Sequence, residues 1–362
     1  MQRTMRRVAV ATVAVLTATL VASTPARASS RAAAPSTPDA ISSIVVLGDS
    51  VAAGEGARDG LVYRDRLLLP GWSTTGAATD GRAGCGRTDA AYGERVADAL
   101  GARLTNLACS GASFERGVVL DEQFDAARPD LVLVTAGANS VAFERAYAYC
   151  LLASLGVSAS EAEQVVSAAT VGEAIVTGLE LAARRAVGRG PAASNAACTA
   201  ERPGAYLEST VLDRADDLGD AARDLVREIR TRGRALGRVP EIVFTTYPDP
   251  LPRTATGLAL CPDGAGVGPE QLAYMHRLVA TLNRALRDAL VDTPGVRVAD
   301  PAPAFAGHRW CDADPWVHGP SIFVTDPSSR APFHPTAAGQ RAIAAAVLAA
   351  RGAVPGEWRG PV

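Results

Sequence analysis

The chain has 362 residues, and its 36 basic side chains are all arginine, set against 38 acids for a formal charge of −2. The absence of lysine excludes a Schiff-base amine, a P-loop or kinase lysine and a Ser-Lys acylation pair. The even charge leaves no basic footprint for nucleic acid, and four imidazoles, His276, His308, His318 and His334, are the near-neutral bases on offer.

From the N-terminus, Met1-Gln-Arg-Thr-Met-Arg-Arg7 is followed by an apolar run from Val8 to Ala22 and by Ala26-Arg27-Ala28. A basic start, a short apolar stretch and small residues at alternate positions predict a secretory signal peptide over 1–28, cleaved after about Ala28. The run is shorter than the about 20 residues a spanning helix needs, so no stable membrane insertion is expected after cleavage. Removing four Arg leaves 32 against 38 acids, net −6, in an extracellular protein expected to be a monomer. Residues 29–40 are rich in Ser, Ala and Pro and read as a flexible segment, leaving 41–362 as a single domain.

In an oxidising setting, six cysteines favour three disulfides. Spacing does not select a connectivity. Pairing neighbours in order, Cys85–Cys109, Cys150–Cys198 and Cys261–Cys311, closes three local loops and is the expected set. His308-x-x-Cys311-x-x-Asp314-x-x-x-His318 superficially resembles a metal site, but a thiol outside the cytosol is expected in a disulfide. No metal and no cofactor are expected.

Short β-branched runs then alternate with helical patterns. Strands are expected at Ile44–Leu47, Arg103–Leu107, Leu131–Thr135, Glu241–Thr246 and Val296–Asp300, and helices at Ala90–Leu100, Asp213–Arg232, Pro269–Val291 and Thr336–Arg351. The alternation predicts a three-layer α/β/α fold around a mostly parallel five-stranded sheet. An Ala-rich helical insertion is expected after the third strand, at about 147–203. In such folds ligands bind beyond the C-terminal strand ends, so the residues after each strand are the ones to inspect.

Four blocks stand there or before the last helix: Gly48-Asp49-Ser50-Val51-Ala52-Ala53-Gly54, Asn106-Leu107-Ala108-Cys109-Ser110-Gly111-Ala112, Thr135-Ala136-Gly137-Ala138-Asn139-Ser140, and Pro332-Phe333-His334-Pro335-Thr336. Each alone is ordinary turn or cap chemistry. Together and in this order, the chain resembles the SGNH hydrolases, the secreted branch of the GDSL esterase and lipase superfamily, and is most similar to actinobacterial extracellular members. The resemblance spans roughly residues 42–350. It implies a flavodoxin-like sheet and a serine carboxylic-ester hydrolase acting on a small-molecule or lipid ester. Ser50 is then the nucleophile and His334 the general base. Three oxyanion donors are implied: the N–H groups of Ser50 and Gly111 and the side chain of Asn139. A helix beginning at Ser50 would further favour negative charge.

The chain departs from the family pattern in two places. The acid expected three residues before the histidine is replaced by Ala331, whose main-chain carbonyl is the matching acceptor for the imidazole Nδ1–H; Asp326, Asp314 and Asp312 are rival carboxylates. Ser140 stands where an acid often follows the Asn. A carbohydrate O-deacetylase on the same fold is the alternative within enzymes, for which Trp72, Trp310 and Trp316 are candidate stacking platforms. A non-catalytic secreted binding module is the alternative from another class.

Overall fold

Five strands form where the sequence predicts them: β1 (Ser43–Gly48), β2 (Arg103–Asn106), β3 (Leu131–Thr135), β4 (Glu241–Thr245) and β5 (Val296–Ala299). The structure is a computed structural model that describes residues 41–57, 85–116, 118, 120–141, 143, 214–254, 268–319 and 333–352. The expected signal peptide, the 29–40 segment, the 147–203 insertion, Trp72, Cys150, Cys198, Cys261, Asp326 and Ala331 lie outside the described residues.

All strand pairs are parallel, in the order β2-β1-β3-β4-β5. β1 and β3 are buried at every position, which explains their unbroken Val/Ile/Leu sequences: both faces of an inner parallel strand are covered. The edge strands β2 and β5 each carry an exposed residue.

Helices α2 (Tyr92–Leu100), α4 (Ala215–Ala235), α5 (Pro269–Leu290) and α6 (Ala337–Ala350) match the expected patterns. α4 carries Asp216 and Asp217 in its first turn and Arg232 and Arg234 in its last, the charge placement its dipole favours. It buries Leu218, Ala222, Leu225, Val226 and Ile229, a helical stripe. That stripe side packs with α5, where Gly219 lets the helices close to contact at Ala289. α2 packs with α6 instead, and Gly93 lies against Val46 of β1. Right-handed crossovers place these two helix pairs on opposite sheet faces, because the chain reverses its direction across the sheet after β2. The reversal opens a crevice at the C-terminal ends of β1 and β3, the ligand position of a doubly wound sheet.

Three short elements lie below the length at which periodicity is readable: α1 (Ser50–Ala53), α3 (Glu122–Ala127) and a 3-10 turn (Ala302–Phe305). Aspartate caps fix the first two: Asp49 accepts from the Val51 N–H, and Asp121 from those of Gln123 and Phe124. The helix expected at Ser50 is thus a single turn ended by the left-handed Gly54. What it offers is the Ser50 N–H at its start rather than a macrodipole.

Candidate active site

The turn after β1 is built on Gly48. Its φ is +137°, and a Cβ there would fall 1.9 Å from the Thr135 carbonyl oxygen, so no side chain is accommodated. The close approach lets the Asp49 N–H donate to Thr135 O at 2.9 Å, tying the turn to β3. Asp49 is 1% exposed, and both carboxylate oxygens have work within the turn. Oδ1 accepts the Val51 N–H at 3.0 Å, and Oδ2 accepts the Tyr247 hydroxyl at 2.5 Å.

Tyr247 itself follows β4. Its hydroxyl accepts the Ala138 N–H at 3.2 Å, and its backbone is held on both sides by the Asn283 amide at 2.8 and 2.7 Å. One phenol therefore joins the loops after β1, β3 and β4. Burial, then the Asp49 carboxylate, holds its hydroxyl protonated well above 10.0; burial does the same at Tyr92, whose hydroxyl pairs with Thr135. Unfolded tyrosine ionises near about 10, so above that pH the unfolded state binds fewer protons than the native one. Stability is then full below about pH 10 and falls as pH rises, by up to about 1.4 kcal/mol per pH unit for each tyrosine. Urea unfolding between about pH 9 and 11 is expected to show this slope, with Tyr247→Phe reducing it. At neutral pH the same variant should cost about 1–3 kcal/mol, since Asp49 Oδ2 loses its donor. A flat alkaline profile would contradict the assignment.

Ser50 is buried with its hydroxyl 2.6 Å from His334 Nε2. His334 arrives on a short ladder rather than on the sheet. His318 N–H donates to His334 O (2.9 Å), Phe333 N–H to His318 O (3.1 Å) and Thr336 N–H to Trp316 O (2.9 Å), around a Val317–Pro335 bridge. Phe333 has φ +61°, a left-handed value costly for a residue with a Cβ and typical of functional turns.

The other imidazoles are engaged elsewhere. His276 lies on α5 between Asp249 Oδ2 (2.5 Å) and Pro252 O (3.0 Å). The His308 ring stacks on Trp316 at 3.7 Å, and His318 Nε2–H donates to Gly56 O at 2.8 Å. The spacing that resembled a metal site is dispersed in the same way, since Cys311 is disulfide-bonded. Two of the three rival carboxylates are also accounted for. Asp312 accepts the Arg309 N–H at 2.7 Å, and Asp314 faces Trp316 Nε1 and His308; neither reaches His334.

Asn139 follows β3, and its Nδ2 donates one hydrogen to Ala112 O at 2.9 Å, which leaves the second. Ser140 accepts the Phe114 N–H and donates to Glu115, both at 3.0 Å. Where an acid often stands, this hydroxyl clamps the β3 loop to the β2 loop. The Cys85–Cys109 disulfide anchors that β2 loop, as do the bonds from Cys109 N–H to Gly48 O (2.9 Å) and from Ser110 N–H to Cys85 O (3.0 Å). Gly111 stands between these ties at φ +78°. Among the described residues, the N–H groups of Ser50 and Gly111 donate to no protein acceptor. The arrangement thus supplies a hydroxyl, an acceptor for its proton and unspent donors, the parts acyl transfer requires.

Ser50, Asn139 and His334 line one cleft, whose remaining wall includes Phe143, Pro248, Pro250 and Phe333. Trp310 is buried edge-on to Phe333 and Trp316 packs edge-on to Phe305. Neither tryptophan lines the cleft. Sequence reasoning missed Tyr247, although it stands directly after β4, where the strand-end rule points. It also missed Gln340 of α6, fully buried, which accepts the Tyr92 N–H (2.8 Å) and donates to Val51 O (3.0 Å). Glu55 was missed as well; its carboxylate lies 4.0 Å from His334 Nε2.

The structure is similar to an extracellular lipase from Streptomyces rimosus (TM-score 0.53, 20% identity, covering 85% of this chain and 99% of that one). It is also similar to phospholipase A1 from Streptomyces albidoflavus (TM-score 0.49, 20% identity, 83% and 95%) and to the acetylxylan esterase Axe2 from Geobacillus stearothermophilus (TM-score 0.35, 16% identity, 86% and 96%). No curated protein matches by sequence. Residues 46–342 match the GDSL-like lipase/acylhydrolase family, a span that runs from β1 through the Ser50 turn and the His334 ladder into α6, and the chain belongs to that family.

Proposed function

We propose that the chain is a secreted carboxylic-ester hydrolase that works through an acyl-enzyme on Ser50, with His334 as general base. The observation that carries this reading is the 2.6 Å bond between Ser50 Oγ and His334 Nε2 at the mouth of the β1/β3 crevice. Ser50 Oγ attacks the ester carbonyl carbon while its proton passes to Nε2. The carbonyl oxygen, now an oxyanion, is met by the Ser50 and Gly111 N–H groups and the free Asn139 hydrogen. Collapse breaks the bond to the alcohol, which leaves with the Nε2 proton, and water repeats the cycle on the acyl-serine.

Two further features belong to the proposal. The Ala331 carbonyl holds the His334 Nδ1–H, a reading supported by Asp312 and Asp314 being engaged by other groups. Export over a cleaved 1–28 segment is supported by its basic and apolar pattern and by the Cys85–Cys109 disulfide.

The cleft wall supports one substrate class over the other. Phe143, Phe333, Pro248 and Pro250 favour an acyl chain, whereas a sugar favours an exposed aromatic face, and Trp310 and Trp316 are spent on packing. Hydrolysis of p-nitrophenyl esters from acetate to palmitate, beside acetylated xylan, separates these readings. Turnover is expected on the nitrophenyl esters and not on the xylan, with a fluorophosphonate probe labelling the Ser50 peptide. Xylan deacetylation outpacing every nitrophenyl ester would favour the O-deacetylase, and neither turnover nor labelling would favour a non-catalytic module. A lipid-like substrate also agrees with the similar Streptomyces rimosus protein being a lipase.

A further inference from the structure

Glu55 is the residue after Gly54, the left-handed end of the nucleophile turn, and its N–H donates to Ser50 O at 2.9 Å. Its side chain folds inward, 12% exposed, instead of reaching solvent. Oε2 accepts the Ser110 hydroxyl at 2.5 Å and lies 4.0 Å from His334 Nε2. Among the described residues, no arginine pairs with this carboxylate, and His334 is the one group within ion-pair reach that can carry a positive charge. A nearly buried acid without a basic partner is costly unless its charge is used.

We propose that Glu55 is the electrostatic partner of His334, facing the nitrogen that takes the Ser50 proton and stabilising the imidazolium that the transfer creates. The catalytic part of this inference rests on the ester-hydrolase reading above. The 4.0 Å separation exceeds a hydrogen bond, so Glu55 acts through charge and touches no reacting atom. Its carboxylate accepts from Ser110, the residue before Gly111, which links it to the loop of the proposed oxyanion donor. Glu55 sets a carboxylate beside the Nε2 edge of the ring.

The neighbours of His334 leave this effect separable. Asp49, one residue before Ser50, has its carboxylate engaged by Val51 N–H and the Tyr247 hydroxyl, and it stays constant when Glu55 is changed. On the ladder, the His318 ring points its Nε2–H to Gly56 O. α6 presents the neutral Gln340.

The test is an NMR titration of the His334 Cε1–H signal, assigned by its loss in His334→Gln, in the wild type and in Glu55→Gln, Glu55→Ala and Ser110→Ala. An opposite charge within about 4–6 Å moves a titrating group by at least about one pH unit. Glu55→Gln and Glu55→Ala should therefore titrate about one pH unit lower than wild type, while Ser110→Ala stays close to it. The acidic limb of kcat/KM should move down by the same amount, with the plateau falling about tenfold as the base weakens. A merely structural role would lower activity without moving that limb to lower pH.

Neutral variants that titrate like the wild type would overturn the proposal. So would a Ser110→Ala shift as large as that of Glu55→Gln, since the hydrogen bond would then be the cause. Thermal melting shows which variants are folded, and either neutral variant suffices. Should the wild type cleave no ester, the titration still decides the pairing, so the two readings fail separately.

Discussion

Ser50→Ala is expected to lower kcat for a nitrophenyl ester by at least about four orders of magnitude, with KM little changed, and His334→Ala to do nearly the same. The double variant should be no worse than the poorer single one. The reason is geometric. The hydroxyl reacts only when Nε2 at 2.6 Å removes its proton, so a serine without the imidazole and an imidazole without the serine are equally idle. Residual turnover would come from the donors and the cleft, which both variants retain. Asp326→Asn, in contrast, should keep most activity if the Ala331 carbonyl orients the ring. Equal rates for wild type and Ser50→Ala would remove the nucleophile assignment. Additive losses in the double variant would mean that the pair does not act as one unit, and a collapse in Asp326→Asn would transfer the orienting role to that carboxylate.

Asn139→Ala carries the second largest effect, a loss of about 10²–10³ in kcat. One amide hydrogen is fixed on Ala112 O at 2.9 Å, which sets the direction of the other without help from substrate. A donor set in place this way gains most when the carbonyl oxygen becomes fully anionic, so kcat should fall far more than KM rises. Asn139→Asp should be worse still, because a carboxylate repels the same oxyanion. A loss confined to KM in steady-state kinetics would show that Asn139 binds the ground state and has no special role in the transition state.

Most of the frame was legible in the sequence because β1, β3 and β4 are buried runs too short for helices and are separated by long amphipathic stretches. Ser50, Asn139 and His334 could be named as candidates because strand ends and the start of α6 are local features and the four blocks together resemble one family. Their supporting contacts could not. Tyr247 meets Asp49 across 198 positions and Gln340 meets Val51 across 289, and no local pattern records which polar residues a fold will bring together. Glu55 shows the same limit at short range. It stands five residues from Ser50, and only the return of the chain at Gly54 turns its carboxylate inward. Trp310 and Trp316 were candidate stacking platforms, and ring packing with Phe333, Phe305 and His308 is what occupies them.

The short ladder that carries His334 has a mechanical meaning. The nucleophile and the candidate donors hang from the adjacent strands β1, β2 and β3, cross-tied through Gly48 O, Thr135 O, Ala112 O and the Cys85–Cys109 bridge, so they behave as one plate. The base is bolted on from elsewhere. Its register against that plate is fixed by the joint that His318 makes with Gly56 O and Gln340 with Val51 O. Reactivity in such an assembly is governed less by either part than by the fit at the seam between them.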